Sequence, residues 1–275
     1  MSNAKYPIVS VIMATYNEPP KILKKAVDSV LGQSFDSYEL LIMDDSTNPD
    51  TIHVLDTFKT NEKVHIIRKD FRMGLSRARN IGIHISRGNY IAIMDADDIS
   101  LPERFRLQVD YLNRHPSCFV LGGQINIIDY NDNIISYRRY PLKGLKLKLF
   151  SSFRNPVAHP TVMFRKEIVK EGLIYNEKLT MSEDLDLWLR VMNSNYRIEN
   201  LDEVLINYRV DETFTDKRVS KNQKEYMAYV RKMNWSNKHM FFSMLSYLSG
   251  QIFKNMPTSY LTILYEKENN QKVKR

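Results

Sequence analysis

The sequence has little cysteine and little glycine, and both shortages narrow the range of functions. Cys118 is the single cysteine among 275 residues, so the chain cannot form an intramolecular disulfide. An N-terminus without a signal-peptide pattern then predicts a cytoplasmic protein, with Cys118 packed in the core. The nine glycines form neither a G-x-G-x-x-G nor a G-x-x-x-x-G-K-[ST] motif. Dinucleotide-dependent hydride transfer and P-loop chemistry are therefore disfavoured.

Long hydrophobic runs are also lacking. The candidate run, residues 241–253, has about 13 residues, whereas a helix needs about 20 to cross a bilayer. We therefore expect no transmembrane segment. With 43% hydrophobic and 26% charged residues, the composition fits one globular catalytic domain with an appendage.

The net charge of +8 lies entirely at the end of the chain. Residues 216–275 contain twelve Lys or Arg and four Asp or Glu, a net +8, which leaves 28 of each sign in residues 1–215. A basic segment with an apolar run predicts contact with an anionic membrane. A solvated face, or packing of Phe241, Leu245 and Leu248 on the catalytic domain or a second subunit, is the alternative. Base-stacking platforms are not evident, so nucleic acid is not an expected partner.

Apolar β-branched runs alternate with segments of helical spacing in the first half of the chain. This pattern predicts strands at 8–13, 39–43, 64–67 and 90–94, and helices at 22–31, 51–58, 75–86 and 102–114. Such alternation indicates a parallel sheet flanked by helices, whose ligands bind beyond the carboxyl ends of the strands. Further strands at 124–129, 134–140 and 161–164, with a loop at 155–160, predict a mixed, mainly parallel α/β sheet. The chain beyond residue 211 is predicted to be helical.

Three acids follow the fourth predicted strand, in the sequence NYIAIMDADD of residues 89–98. Side chains two apart in a strand point the same way, so Asp95 and Asp97 share a face, with Asp98 beside them. Clustered carboxylates repel one another unless a cation neutralises them. Their hard oxygen atoms favour Mg²⁺ or Mn²⁺. The sequence therefore predicts a divalent metal site, and capping of the helix near residue 102 is the alternative.

Other polar side chains follow the neighbouring elements. Asp45, after the second strand, can accept a hydrogen bond from a base or ribose, or cap the next helix. Tyr16, after the first strand, can stack on a base. Arg77, Arg79 and Asn80 lie near a helix start, where guanidinium groups and amide dipoles suit a diphosphate.

Residues 182–190, SEDLDLWLR, open a predicted amphipathic helix with Leu185, Trp188 and Leu189 towards the core. Glu183 and Asp184 lie in its first turn, where the helix dipole stabilises acids whatever their role. Position alone therefore leaves catalytic and structural roles open for both.

Five motifs in order carry a resemblance: VSVIMATYNE, LLIMDDS, GLSRARNIGI, GNYIAIMDADDISLPERF and SEDLDLWLRV. Over residues 7–210 the chain resembles family 2 glycosyltransferases, which have the nucleotide-sugar-binding GT-A fold. The resemblance implies that one group of residues holds the nucleoside: Thr15, Tyr16, Asn17, Glu18 and Asp45.

The same resemblance implies that Asp95 and Asp97 bind ribose and metal, and that Asp184 is the catalytic base with Glu183 as the fallback. Many relatives carry a histidine shortly after a Tyr-Arg strand end, close to the metal and diphosphate. Here Tyr208-Arg209-Val210 is followed by Asp211, which can supply a metal-binding oxygen instead.

The acceptor region is expected around His159, in NPVAHPTVMF, and Trp188. His159 can equally be a structural loop histidine. The resemblance further implies a catalytic domain at 5–212, with a nucleotide-sugar half at about 5–118 and an acceptor half at about 119–212. A basic helical extension at 213–275 follows, with a homodimer as one possible assembly.

The resemblance implies a metal-dependent, inverting glycosyltransferase. The donor is expected to be a nucleoside diphosphate sugar, with UDP as the nucleotide. The acceptor is expected to be a hydroxyl of a glycan or of a lipid-linked acceptor in cell-surface polysaccharide synthesis. A sugar-phosphate nucleotidyltransferase is a rival interpretation, but it would need a glycine-rich loop after the first strand, where ATYNEPP has no glycine. A non-catalytic nucleotide-sugar-binding module is a second rival, and retention of all the acids argues against it.

Overall fold

The computed structural model describes residues 6–194, 196–211 and 213–269, and these form one mixed β-sheet with helices packed on it. The strands are β1 (Val9–Thr15), β2 (Tyr38–Asp44), β3 (Val64–Ile67), β4 (Tyr90–Asp95), β5 (Ile99–Ser100), β6 (Cys118–Ile128), β7 (Ile134–Arg138), β8 (Met163–Arg165) and β9 (Arg197–Arg209). The helices are α1 (Pro20–Leu31), α2 (Pro49–Asp56), α3 (Leu75–Ile85), α4 (Arg104–Arg114), α5 (Gly144–Ser151), α6 (Glu183–Asn193), α7 (Phe214–Val219), α8 (Lys221–Met233), α9 (Met240–Asn255) and α10 (Thr258–Asn269).

The sheet has the order β3-β2-β1-β4-β8-β6-β9-β5, and β7 also pairs with β6. Strands β1 to β4 pair in parallel, as the alternation of strands and helices predicts. β8 then runs antiparallel between β4 and β6. β6 pairs in parallel with β9 and antiparallel with β7. The predicted mixed α/β fold is confirmed.

The parallel strands are mostly apolar because helices cover both of their faces. Val11 and Met13 pack in the core beneath α1 and α4, whereas Ile12 faces the core beneath α3 and α6. Gly82 lets α3 approach β1 closely, since a Cβ there would lie 2.8 Å from Ile12 Cγ2. Cys118 is fully buried, so its predicted core position is confirmed.

Several predicted boundaries differ from the structure; β6, for example, begins at Cys118 and not at residue 124. β8 begins at Met163 and not at residue 161, because His159–Thr161 forms a 3-10 turn in which Thr161 Oγ1 donates to Ala158 O at 2.6 Å. The long strand β9 was predicted only at its Tyr208-Arg209 end.

The register of the parallel strands brings the predicted polar groups to one edge of the sheet. Thr15 pairs with Asp44 at the ends of β1 and β2, and Ala14 pairs with Asp95 on β4. The loops that follow these strands therefore leave the sheet side by side.

The C-terminal segment is helical from α7 to α10, as predicted. α8 and α9 pack closely, since a Cβ on Gly250 would lie 3.2 Å from Ala228 Cα. The predicted domain boundary near residue 212 stays a prediction, and residues 270–275 lie outside the described residues. No helix among the described residues is long and apolar enough to cross a membrane.

Candidate active site

A cleft of about 450 Å³ opens beyond the carboxyl end of β4. It is called the strand-end cleft below. Seven residues predicted from the sequence line it: Arg79, Asp95, Asp97, His159, Glu183, Asp184 and Asp211. These residues come from β4, α3, α6 and three loops, so the fold brings together motifs that are more than 100 residues apart in the chain.

Arg79 joins the two acidic motifs inside this cleft. Its guanidinium lies 2.8 Å from Asp95 Oδ1 and 3.1 Å from Glu183 Oε1. The residue is only 4% exposed. Desolvation would lower the pKa of Arg79, but the charges of Asp95 and Glu183 outweigh it, so that the pKa is raised and the side chain stays cationic. Asp95, at the end of β4, and Glu183, the first residue of α6, are thus both paired with the guanidinium of Arg79.

Asp184 is held differently from Glu183. Asn155 Nδ2 donates to Asp184 Oδ2 at 2.5 Å, and the backbone N–H of Leu185 donates to Oδ1 at 2.7 Å. Both donors are amides, and together they orient the carboxylate. Burial, followed by the neighbouring Asp184, raises the pKa of Glu183.

A side chain of the C-terminal helices contacts the start of α6 and helps to hold it in place. Ser182 has a left-handed backbone, with φ of 57°, directly before Glu183. Such a conformation costs about 1–2 kcal/mol for a residue other than glycine. Gln223 Nε2 on α8 donates to Ser182 Oγ at 3.0 Å. Gln223 therefore helps to hold the turn that presents Asp184 to the cleft.

The three acids after β4 have separate environments. Asp95 is paired with Arg79, and Asp97 lines the cleft beside it. Asp98 is fully buried and does not line the cleft; its Oδ1 accepts from the backbone N–H of Arg209 at 2.8 Å. Arg209 also donates from Nε to Asp97 O at 2.8 Å. Asp98 thus connects the loop after β4 to the end of β9.

Asp95 and Asp97 have the donor chemistry of a divalent cation site. Burial, followed by the charges of Asp95 and Glu18, raises the pKa of Asp97 to about 7. A carboxylate whose ionisation is opposed in this way is stabilised by a nearby cation. Within the described part of the chain, no three His, Cys, Asp or Glu side chains are grouped closely enough to hold a metal alone. Two carboxylates that leave positions for phosphate oxygens and water fit Mg²⁺ or Mn²⁺.

Asp211, the predicted substitute for the family histidine, lines the same cleft. Its Oδ2 lies 2.8 Å from Lys217 Nζ, and its Oδ1 accepts from Thr213 Oγ1 at 2.9 Å. These bonds lower the pKa of Asp211, with the Lys217 bond as the largest cause. A metal there would share the carboxylate with Lys217, so its role as a ligand stays a prediction.

The predicted nucleoside-binding residues lie beside the cleft and do not line it. Asn17 Oδ1 accepts from the backbone N–H groups of Thr47 and Asn48, both at 2.8 Å, which joins the loops after β1 and β2. Tyr16 is 44% exposed, and the guanidinium of Arg72 lies 4.1 Å from its ring centroid. An exposed ring that already stacks on a cation can also stack on a base.

Asp45, Thr15 and Glu18 complete this group. Asp45 accepts from the backbone N–H groups of Met73 and Gly74 at 2.9 and 2.7 Å, so it holds the loop that leads into α3. Thr15 is buried. Burial and the charge of Asp95 raise the pKa of Glu18, which places Glu18 within electrostatic reach of the cleft.

Two predicted residues lie away from the cleft. Asn80 donates to Tyr175 O and accepts from Tyr175 N, at 2.9 and 3.0 Å, and so fixes a buried loop. Trp188 is fully buried in the core, 5.6 Å from the ring of His159. Among the predicted acceptor residues, His159 alone lines the cleft. Burial, followed by Arg79, lowers the pKa of His159 well below its usual value, so it is neutral at pH 7.

Several lining residues were not predicted from the sequence. Asn155 belongs to the predicted loop 155–160, but its contact with Asp184 has no local signal. Lys217, Arg218 and Gln223 come from α7 and α8, in the segment expected to act as an appendage. The C-terminal helices therefore complete the cleft.

Comparisons with known proteins identify the family of the chain. The sequence model of the family described as Glycosyl transferase family 2 matches residues 10–173. An uncharacterized glycosyltransferase of Methanocaldococcus jannaschii is 33% identical over 86% of this chain and 82% of its own length. The amylovoran biosynthesis glycosyltransferase AmsE of Erwinia amylovora is 30% identical over 94% of this chain and 98% of its own.

A solved structure shares the fold at low identity. S. aureus TarS 1-349 in complex with UDP-GlcNAc superposes with a TM-score of 0.70 at 18% identity, over 95% of this chain and 78% of that chain. The fold is therefore that of a GT-A-like glycosyltransferase. The family match, the two relatives and the joined acidic motifs lead to one conclusion: the chain belongs to glycosyl transferase family 2.

Proposed function

We propose that this glycosyltransferase is an inverting, metal-dependent enzyme that takes a sugar from a nucleoside diphosphate sugar, with UDP as the carrier. The acceptor is a hydroxyl of a glycan or lipid-linked sugar in cell-surface polysaccharide synthesis. The main support is the Arg79 bridge, which holds Asp95 and Glu183 in one cleft. The amylovoran relative and the UDP-GlcNAc complex of TarS support the pathway and the carrier.

Asp184 is the proposed general base. Glu183 is bound to the guanidinium of Arg79, whereas Asn155 Nδ2 and the backbone N–H of Leu185 hold Asp184. Asn155 fixes the direction of the Asp184 carboxylate, and Asp184 takes the proton from the acceptor hydroxyl as that oxygen attacks the anomeric carbon. A cation on Asp95 and Asp97, when bound, neutralises charge on the departing diphosphate.

One base and one displacement invert the anomeric configuration. Retention by double displacement needs a carboxylate placed as a nucleophile beside the anomeric carbon. Glu183, the carboxylate adjacent to Asp184, is already paired with Arg79. The arrangement therefore favours the single displacement.

A ligand screen tests the proposed donor. Nucleotide sugars with UDP, GDP, CDP or dTDP carriers are added to the full chain with Mn²⁺, and the melting temperature is measured. A ligand that binds only the native state raises the free energy of unfolding by about 2.7 kcal/mol at a hundred times its Kd. A UDP-sugar is expected to give the largest increase, and no increase with any nucleotide sugar would contradict the proposal.

A membrane contact through α9 is the second part of the proposal. α9 buries its small residues, Ser243, Ser246 and Gly250, against the protein. Its large apolar residues face solvent: Met240, Phe241, Met244, Leu248 and Ile252 are 44–63% exposed. An apolar helix face of this kind suits the headgroup boundary of a bilayer. We therefore place the enzyme in the cytoplasm, at the inner face of the plasma membrane.

α5 extends this apolar face. Lys148 Nζ lies 4.6 Å from the Phe242 ring centroid, which ties α5 to α9. Leu145 and Leu149 on α5 are 72% and 44% exposed. Lys238 and Lys254, near the two ends of α9, are exposed as well. Each basic residue near an anionic bilayer contributes about 1 kcal/mol.

Fewer basic residues can face the membrane than the sequence suggests. Lys224 and Arg231 are buried, where Lys224 donates to Met256 O and Arg231 donates to the carbonyl oxygens of Ser151 and Ser152. These two side chains hold the C-terminal helices in place.

Vesicle co-sedimentation tests the membrane contact. The triple variant Phe241→Ser, Leu248→Ser and Ile252→Ser is preferred to deletion of residues 216–275, because Lys217, Arg218 and Gln223 line the cleft. Binding to anionic vesicles is expected to weaken at least about tenfold in the variant and to fade at high salt. Ile85→Ser, at an exposed position on α3, is the control and should bind as the wild type does.

Absence of vesicle binding by the wild type at low salt would overturn the membrane role. The apolar face would then be left as a subunit contact. Sedimentation velocity would show this as a dimer that the triple variant dissociates.

A further inference from the structure

A second cavity adjoins the strand-end cleft at Asp184. It has a volume of about 290 Å³ and is called the arginine cavity. Seven residues line both spaces: Arg138, Tyr140, Asn155, Ser182, Asp184, Arg218 and Gln223. A base at the boundary of two cavities can serve two substrates, and on the proposed function the donor occupies the strand-end cleft. The arginine cavity is then the place from which the acceptor hydroxyl reaches Asp184.

The lining of the arginine cavity is strongly cationic. Arg138 and Arg139 come from the end of β7, Arg154 from the turn after α5, and Arg218 from α7. Of the described residues that line it, Asp184 supplies the sole carboxylate. Four arginines from three parts of the chain thus line a space with one acid, and Arg139 also donates to Asp202 O at 2.7 Å. A neutral glycan would gain little from this field, whereas an anion would gain both charge and bidentate hydrogen bonds.

The remaining wall is aromatic. Tyr137, Tyr140 and Phe150 line the cavity, and the rings of Tyr140 and Phe150 lie 6.1 Å apart in an edge-to-face arrangement. Aromatic walls with a few placed polar groups are typical of pockets for small organic ligands. The combination suits a sugar ring attached to a charged group.

We propose that the arginine cavity binds an acceptor that carries a phosphate or diphosphate next to its reacting sugar. This inference rests on the proposed function of the strand-end cleft. A phosphate is favoured over a carboxylate because it carries more charge and more acceptor oxygens for several guanidinium groups. The phosphate can belong to a lipid headgroup or to a phosphorylated glycan, and the same guanidinium groups would recognise both.

Calorimetry on the full chain, saturated with UDP and Mn²⁺, tests the proposal with two matched probes. α-D-Glucose 1-phosphate carries the phosphate, and methyl α-D-glucoside presents the same sugar without it. The phosphate ester is expected to bind at least about tenfold more tightly, as a charge-assisted contact requires. It should do so without displacing UDP. Equal affinity for the two probes, or binding only by displacement of UDP, would overturn the inference.

Two arginine variants test whether the phosphate ester binds in the arginine cavity. Arg154 lines the arginine cavity but not the strand-end cleft, so Arg154→Gln should weaken glucose 1-phosphate about tenfold. Arg139→Gln, at a side chain 60% exposed, is the second variant if Arg154→Gln does not fold. Arg114→Gln, on α4, is the control and should leave the affinity unchanged. An unchanged affinity in both cavity variants would contradict the assignment.

A third probe separates the two phosphate sources. Polyprenyl phosphate glucose in detergent micelles should bind more tightly than glucose 1-phosphate if the natural acceptor is a lipid headgroup, and equally if it is a phosphorylated glycan. Failure of UDP itself to bind would overturn the proposed function. Normal UDP binding without any preference for the phosphate ester would overturn this inference alone.

Discussion

Asp184→Asn is expected to lower the rate of sugar transfer by about 10²- to 10⁴-fold, the usual loss when a general base is removed. The amide keeps the shape of the side chain and the hydrogen bond from the Leu185 N–H, but it cannot accept the acceptor proton. On the proposed function, the donor contacts lie at the other residues of the cleft. UDP affinity should therefore stay within about threefold of the wild type, as measured by calorimetry with Mn²⁺.

Two further variants show whether the loss of transfer is specific to Asp184. Asp110→Asn, at an exposed position on α4, is the matched control and should transfer at the wild-type rate. Glu183→Gln removes one of the two carboxylates paired with Arg79, and it should weaken donor binding as well as transfer. Near-normal turnover in Asp184→Asn would move the role of base to Glu183 or to another residue.

Removal of the divalent cation is expected to lower UDP affinity by at least about tenfold. When Asp95 and Asp97 are ionised, they repel a diphosphate beside them unless a cation lies between the charges. Calorimetry with UDP in Mn²⁺ and in EDTA measures the difference. Asp97→Ala should abolish the effect of Mn²⁺, and equal affinity in Mn²⁺ and EDTA for the wild type would contradict metal dependence.

The pH dependence of the Mn²⁺ effect is a second test of metal binding at Asp97. The pKa of Asp97 is raised from 3.8 to about 7 by burial and by Asp95 and Glu18. Protons therefore compete with the cation, and the effect of Mn²⁺ should grow from pH 6 to pH 8. Because the pKa of Asp97 is higher in the folded state, folding favours the protonated side chain. Asp97 therefore contributes to the free energy of unfolding below about pH 4, and this contribution is lost as the pH rises through 7. In EDTA at pH 8, Asp97→Ala should melt no lower than the wild type.

The parallel half of the fold could be predicted from the sequence because its signals are local. Each strand is a short apolar run, and each helix has its own apolar spacing, so the ends of β1, β2 and β4 could be placed at one edge. All five acids that line the strand-end cleft could be named from the sequence: Asp95, Asp97, Glu183, Asp184 and Asp211.

The contacts that distinguish these acids could not be predicted, because they join distant parts of the chain. The Arg79–Glu183 pair spans 104 positions, and the Asn155–Asp184 bond spans 29. No local pattern indicates that Glu183 pairs with Arg79 while Asn155 orients Asp184. Asn80 shows the opposite case: its helix-start position suits a diphosphate, but in the folded chain it fixes the backbone of Tyr175.

The C-terminal segment had a role that its charge did not indicate. Net charge and the apolar run predict a surface appendage, yet Gln223 holds Ser182 at the start of α6, and Lys217 pairs with Asp211 in the cleft. Composition cannot separate buried lysine and arginine from exposed ones. The segment therefore combines a structural role at the cleft with the proposed membrane face of α9.

The most direct test of the central claim is to follow donor and product in one tube by proton NMR. The full chain is incubated with Mn²⁺, the UDP-sugar selected by the ligand screen and a phosphate-bearing sugar acceptor, and the anomeric signals are integrated over time. We expect UDP to form in equal amount to a product whose new linkage has the opposite anomeric configuration to the donor. A product with retained configuration would contradict the single displacement by Asp184, and a UDP-sugar that stays intact would contradict the proposed donor chemistry itself.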